Sequence, residues 1–213
     1  MIINKHQAKE VAEILLNINA VKLQPSNFFT WSSGKKSPIY CDNRVILSYP
    51  NERAKIQKIF AEYIQEQFTD IHSIAGVATG AIAHGMMVAS ALELPFIYVR
   101  DKAKKHGRQN QIEGKMDKGS NIIVIEDLIS TGKSSINAIK AIENSGSKVV
   151  SLISIFTYGF SIATENFKKS NYEYISLCDF NILLEQAIKQ QYIFNEDLDL
   201  IKDWKKDPAN WKK

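Results

Sequence analysis

Val124-Ile125-Glu126-Asp127-Leu128-Ile129-Ser130-Thr131-Gly132-Lys133-Ser134-Ser135 is the stretch on which the fold turns. Just before the acids, residues 121–125 are almost wholly apolar, as in a strand buried on both faces. Two acids follow, Glu126 and Asp127, then a turn of small residues. A helical pattern then covers residues 134–145, and Gly146 ends it as the residue after the cap. Ser130, Thr131, Gly132, Ser134 and Ser135 offer backbone N–H and hydroxyl donors. Gly132 lets the chain approach a ligand closely, and the next helix points its N-terminus at it. A dianionic phosphate fits such a nest. Two carboxylates at the strand's C-terminal end can hold sugar hydroxyls, or a hydrated Mg²⁺ that bridges to them. The plainer alternative is that Glu126 caps the helix or lies in solvent. A Walker-type loop is excluded, because the position five before Gly132 is Asp127 rather than glycine.

Working outward, the chain alternates. Strands are expected at residues 71–77, 96–100, 121–125 and 149–156, with helices at 80–92 and 134–145 between them. That order predicts an α/β fold with a mostly parallel sheet flanked by helices and joined by right-handed crossovers. Ahead of it, Val11, Ile14, Leu15 and Ile18 mark a helix over residues 4–19. Residues 20–23 read as a short strand, and 28–31 with 39–41 as the arms of a hairpin. Tyr49-Pro50-Asn51 opens a long helix to about residue 68, with Ile56, Ile59, Phe60 and Tyr63 inward. From residue 162 onward the pattern is of short helices. A single domain over 1–213, with an N-terminal helix and hood at about 1–48, is the simplest organisation.

The bulk properties narrow the function. The chain has 213 residues, 45% hydrophobic and 23% charged, enough to bury a core without metals or disulfides. A net charge of +4, densest at Lys102, Lys104, Lys105 and Arg108, is small for nucleic-acid binding and suits a small anionic substrate. The two cysteines, Cys41 and Cys178, have no zinc-ligand spacing and fit a reducing cytoplasm. No apolar run is long enough for a membrane span. His84 reads as packed, Met86 and Met87 as core, and Trp204 and Trp211 as pins for the C-terminal tail.

The opening stretch resembles the phosphoribosyl-pyrophosphate signature of the type I phosphoribosyltransferases. Three further segments resemble the orotate branch of that family. Phe29-Thr30-Trp31-Ser32-Ser33-Gly34-Lys35-Lys36-Ser37-Pro38-Ile39-Tyr40-Cys41-Asp42-Asn43-Arg44 is similar to the hood that covers the base. Ala75-Gly76-Val77-Ala78-Thr79-Gly80-Ala81-Ile82-Ala83 is similar to the turn that binds pyrophosphate through backbone amides, often with unusual peptide geometry. Tyr98-Val99-Arg100-Asp101-Lys102-Ala103-Lys104-Lys105-His106-Gly107 with Ile112-Glu113-Gly114 is similar to the catalytic loop.

The resemblance implies a type I phosphoribosyltransferase fold with a small N-terminal hood. It also implies transfer of phosphoribosyl from 5-phosphoribosyl 1-diphosphate to orotate, with Mg²⁺ bound through the diphosphate substrate. Glu126 and Asp127 would meet the ribose hydroxyls. Leu128, Ile129, Ser130, Thr131, Gly132, Lys133 and Ser134 would hold the 5-phosphate. Thr79 and Gly80 would bind the diphosphate, and Arg100, Lys104 and His106 would stabilise it as it leaves. Ser130, Tyr40 and Arg44 are the candidate orotate contacts. The loop would reach into the neighbouring subunit of a homodimer; its plain alternative is a solvated basic loop. Asp101 and Ser32 stand where many relatives carry lysine. The segment Phe156-Thr157-Tyr158-Gly159-Phe160 lacks the arginine with which some relatives bind the substrate carboxylate. Arg44 is the expected substitute, against the alternative that it pairs with Glu52 or another acid. A purine phosphoribosyltransferase and a non-catalytic regulator are the competing functions.

Overall fold

A computed structural model describes residues 1–31, 34–101 and 111–211 of the chain. Helix α1 (Lys5–Asn17) is capped by the Asn4 side chain, which accepts from the Gln7 N–H. Its buried face carries Ala8, Val11, Ile14 and Leu15. Strand β1 (Val21–Leu23) follows, then β2 (Phe29–Thr30), β3 (Lys36–Ser37) and β4 (Ile39–Cys41).

These short strands pair differently from the expected hairpin. β2 pairs with β3, while β4 turns back to pair antiparallel with β1. Pro38 is the cause: it has no N–H to continue the first ladder. The buried Ser37 hydroxyl accepts from the Ile39 N–H and donates to the Ile39 carbonyl, so the chain changes partner there. A 3-10 turn (Asn43–Ser48) leads into α2 (Pro50–Gln67), with Pro50 in the first turn, where a missing N–H costs nothing.

The main sheet contains β5 (Ser73–Val77), β6 (Phe96–Val99), β7 (Ile112–Glu113), β8 (Asn121–Ile129), β9 (Lys148–Thr157) and β10 (Ile175–Asp179), in the order β10-β9-β8-β5-β6-β7. Every pairing is parallel except β6 with β7. Helices α3 (Ala81–Ala91), α4 (Lys133–Asn144), α5 (Ser161–Lys169) and α6 (Phe180–Lys189) form the crossovers and flanks, and α7 (Leu198–Lys206) closes the chain. One contiguous apolar core joins the sheet to α1 and to β1 and β4. From β5 the strand order runs to β6 on one side; from β8 it runs to β9 and β10 on the other. The carboxyl ends of β5 and β8 therefore flank a topological switch point, where open α/β sheets form their binding crevice.

Three expectations need correction. The region after residue 162 is not all helical, because β10 forms the far edge of the sheet. Its Ser176, Leu177 and Cys178 are all buried, so no alternation marks it as a strand. Ile2 forms a bridge beside Ser176 and covers that edge. β8 runs to Ile129, not 125, so both acids lie within the strand. Met86 is not core: it is 46% exposed on the outer side of α3. Trp204, in contrast, is fully buried against Trp31, Tyr158, Phe160 and Phe180, and Trp211 packs edge-on to Phe28, so the tail is pinned to the body as expected and to the hood as well. Among the described residues no helix is long and apolar enough to cross a membrane.

Candidate active site

The turn after β8 is built to stay open. Gly132 stands at φ +75° before α4, a left-handed conformation in which a Cβ would also strike the Phe167 ring. Asn166 of α5 donates to the Thr131 carbonyl at 2.9 Å, and Tyr158 N–H donates to the Ile129 carbonyl at 3.1 Å. Braced from two sides, the turn leaves Ser130 and Thr131 partly exposed and Lys133 and Ser134 exposed. The N–H groups of a helix's first turn have no partner within the helix, so the start of α4 presents free donors beside these hydroxyls. Ile129 does not face this opening, since its side chain is buried and its carbonyl is taken by β9. Leu128 is a half-buried apolar residue of β8.

The two acids occupy different places, because neighbouring strand residues point to opposite faces. Glu126 is 3% exposed. Its Oε2 accepts from the Ser135 hydroxyl at 2.8 Å and more loosely from Ser134 at 3.5 Å, and its Oε1 from the Asp127 N–H. Burial pushes its carboxyl well above the ordinary range, and the Asp127 charge adds to the shift, against the Ser135 hydrogen bond. Asp127 is less buried, and its carboxylate lies over Gly80: a Cβ on Gly80 would overlap it. Gly80 has an ordinary helical φ of −60°, so here glycine serves close approach and not backbone freedom. Thr79 is exposed, and the Ala78–Thr79 peptide is cis, the kind of unusual geometry expected of this turn. The acid of β8 and the turn after β5 thus meet across the switch point.

Toward the hood, Tyr40 is 41% exposed and lies 5.7 Å from Phe29 between ring centroids. Arg44 sends Nε and Nη2 to the two carboxylate oxygens of Asp42, at 2.6 and 2.8 Å. Its acid partner is therefore Asp42, while Glu52 pairs with Lys55. This fork raises the Arg44 pKa and lowers that of Asp42. The Nη1 edge of Arg44 points away from the fork. Arg100 directly follows β6; its N–H donates to the Gln111 carbonyl at 2.9 Å and its guanidinium reaches Glu113 at 3.5 Å. Lys104 and His106 lie outside the described residues. Two contributors escaped the reading from sequence: Ser135 as the hydroxyl holding Glu126, and Asn43, which donates to the Asp127 carbonyl from the base of the hood at 2.6 Å. The Asn43 amide has no spacing signature, since its partner is remote in sequence, and Ser135, close to Glu126 in sequence, looks there like the other hydroxyls of the nest. His84 is packed, as expected: burial lowers its pKa, and its Nε2 bonds the Asn43 carbonyl.

Residues 43–186 match the family model described as the phosphoribosyl transferase domain. The orotate phosphoribosyltransferase of Porphyromonas gingivalis is 47% identical over 97% of this chain and 99% of its own, and that of Listeria monocytogenes 47% identical over 96% and 98%. Among solved structures, orotate phosphoribosyltransferase from Aeropyrum pernix superposes with a TM-score of 0.74 at 27% identity, over 86% of this chain and 99% of that one. The UMP synthase of Leishmania donovani superposes with a TM-score of 0.76 at 25% identity, over 92% of this chain, which spans 42% of that longer one. With its sheet order, its braced turn and relatives alike over nearly their whole length, the chain belongs to the orotate phosphoribosyltransferase family.

Proposed function

We propose that the protein transfers the phosphoribosyl group of 5-phosphoribosyl 1-diphosphate to orotate, giving orotidine 5-phosphate and diphosphate. The observation that carries the proposal is the Asp127 carboxylate standing over Gly80 at the switch point, beside the open turn at residues 130–134. That arrangement supports a reading in which Asp127 takes the ribose hydroxyls, the turn takes the 5-phosphate and the Gly80 backbone takes the diphosphate.

Each part has one task. Ser130, Thr131, Gly132, Lys133 and Ser134 anchor the 5-phosphate, so that remote binding energy orients the anomeric carbon. Asp127 holds a ribose hydroxyl and eases the positive charge of an oxocarbenium-like transition state. Glu126, turned inward onto Ser135, braces the strand that carries Asp127. A ring nitrogen of orotate attacks the anomeric carbon while the bond to diphosphate breaks. Arg100, Lys104 and His106 supply positive charge to the departing diphosphate. Tyr40 and Ser130 line the base, and the Nη1 edge of Arg44 meets the orotate carboxylate.

The residues suit Mg²⁺ brought by the substrate. Asp127 offers hard oxygen donors, and among the described residues no three His, Cys, Asp or Glu side chains form a metal cluster. A site of this kind fits an ion that keeps water and diphosphate oxygens as most of its ligands. When bound, Mg²⁺ neutralises charge on the diphosphate. We place the reaction in a homodimer in the cytoplasm, where two free cysteines stay reduced.

The test is to mix the protein with 5-phosphoribosyl 1-diphosphate and Mg²⁺, add orotate, uracil, adenine, guanine or hypoxanthine separately, and follow diphosphate release. Release with orotate alone is expected. Release with a purine alone overturns the proposal, and no release with any base favours a regulator.

A further inference from the structure

We propose that Asn43 is a positioning residue for Asp127. From the base of the hood it fixes the backbone from which the Asp127 carboxylate reaches the Gly80 turn. The inference rests on the functional reading above, in which that carboxylate meets the ribose.

Register explains why a brace is needed. β5 stays in step with β8 only as far as Gly76 opposite Ile125, whereas β8 runs on beside β9 to Ile129. Beyond Ile125 the β5 side of β8 has no strand partner among the described residues, and Asp127 lies on that stretch. A backbone polar group left unpaired under the hood would carry its full desolvation penalty. Asn43 supplies the missing donor: its Nδ2 lies 2.6 Å from the Asp127 carbonyl oxygen. The opposite amide assignment would press two acceptors together, so the orientation is set by chemistry.

Asn43 is itself held on every side. It is 1% exposed. Its Oδ1 accepts from the Cys41 thiol at 3.5 Å, and its backbone carbonyl accepts from His84 Nε2 at 3.2 Å. Because a carbonyl only accepts, His84 carries its proton on Nε2, which ties Asn43 to α3, the helix that follows the Gly80 turn. One buried residue thus joins three parts: its side-chain amide links the hood to the sugar acid, and its backbone carbonyl links both to the helix after the diphosphate turn. An apolar side chain would fill the crevice with less desolvation. An amide is explained by its donor, and that donor goes to the residue whose carboxylate stands at the sugar site.

A double-mutant cycle tests this. The unchanged protein, Asn43→Ser, Asp127→Asn and the double variant are assayed with 5-phosphoribosyl 1-diphosphate, Mg²⁺ and orotate, alongside thermal unfolding. Asn43→Ser is expected to lower kcat about tenfold or more while the KM for orotate changes little. In the Asp127→Asn background the same change is expected to lower kcat less than about twofold, because the two residues act as one unit. Gln57→Ala, which removes a comparable bond from α2 to the Met87 carbonyl of α3, serves as a control for general loosening. Equal loss in both Asp127 backgrounds, or equal loss from Gln57→Ala at matched stability, makes Asn43 merely structural and overturns the inference. If Asn43→Ser does not fold, Asn43→Asp, which keeps the volume and removes the donor, is read in the same cycle. Turnover that both Asn43 variants leave intact overturns this inference alone. No turnover with orotate by the unchanged protein overturns the functional reading and this inference with it.

Discussion

The turn at residues 130–134 and the hood over it are built in opposite ways. The turn is made by one continuous stretch: a strand end, a left-handed glycine, and the first turn of α4. The hood is assembled from pieces far apart in sequence. Four strands of two or three residues hold it, Asn43 ties it to β8, and α7 packs beneath Trp31. The turn takes its shape from neighbouring residues and is only braced from outside, by Asn166 and Tyr158, whereas the hood exists only through distant packing. The two should therefore fail differently.

The largest expected effect is on the hood. Trp204→Ala removes a fully buried ring from a cluster of four aromatic partners and should cost about 3–5 kcal/mol in denaturant unfolding. A loss below about 1 kcal/mol would show that the hood stands without the tail. In the local site the damage should be chemical. Asp127→Asn is expected to lower kcat/KM about 100-fold, or roughly 2.7 kcal/mol, with little change in unfolding midpoint. Gly80→Ala should follow at about tenfold, since its methyl displaces the Asp127 carboxylate while φ stays ordinary.

Glu126 offers a comparison through pH. Its folded pKa is raised, so the folded protein binds that proton more tightly than the unfolded chain does. The stabilising contribution is complete below the ordinary Glu value of 4.5 and is lost as pH rises through the raised folded value. Glu126→Gln cannot ionise. It should be more stable than the parent at neutral pH, by on the order of 1 kcal/mol, with the gap closing below the ordinary Glu range. A gap independent of pH would mean that the carboxyl is not buried in solution. The smallest effect belongs to Arg44→Ala: a several-fold rise in the KM for orotate, with stability changed by less than about 0.5 kcal/mol, because its fork with Asp42 is 61% exposed on the arginine side. An unchanged KM would remove Arg44 from the base site.

The same contrast explains what could be read from sequence. The apolar run, the acids and Gly132 carry their meaning within a dozen residues, and the strand–helix alternation around them was legible for the same reason. The hairpin was misread because Pro38 and Ser37 redirect β4 toward β1, a choice of partner that propensity does not encode. β10 was missed because both its faces are covered and it has no alternation to show. The different settings of Glu126 and Asp127 became visible only with the register of β8. Asn43 finds its partner across the fold, and the inward turn of the Ser135 hydroxyl onto Glu126 shows only once α4 packs on β8, so no spacing announced either.

The aromatic packing of the tail also has an optical consequence. The chain has three tryptophans, Trp31, Trp204 and Trp211, and all three sit in the hood or in the segment fastened to it. No tryptophan stands in the turn at residues 130–134 or on β5 or β8. Intrinsic fluorescence is therefore a signal from one end of the molecule. A base settling under the hood would quench it or shift its emission, and the unmodified protein thus carries its own spectroscopic reporter of hood occupancy.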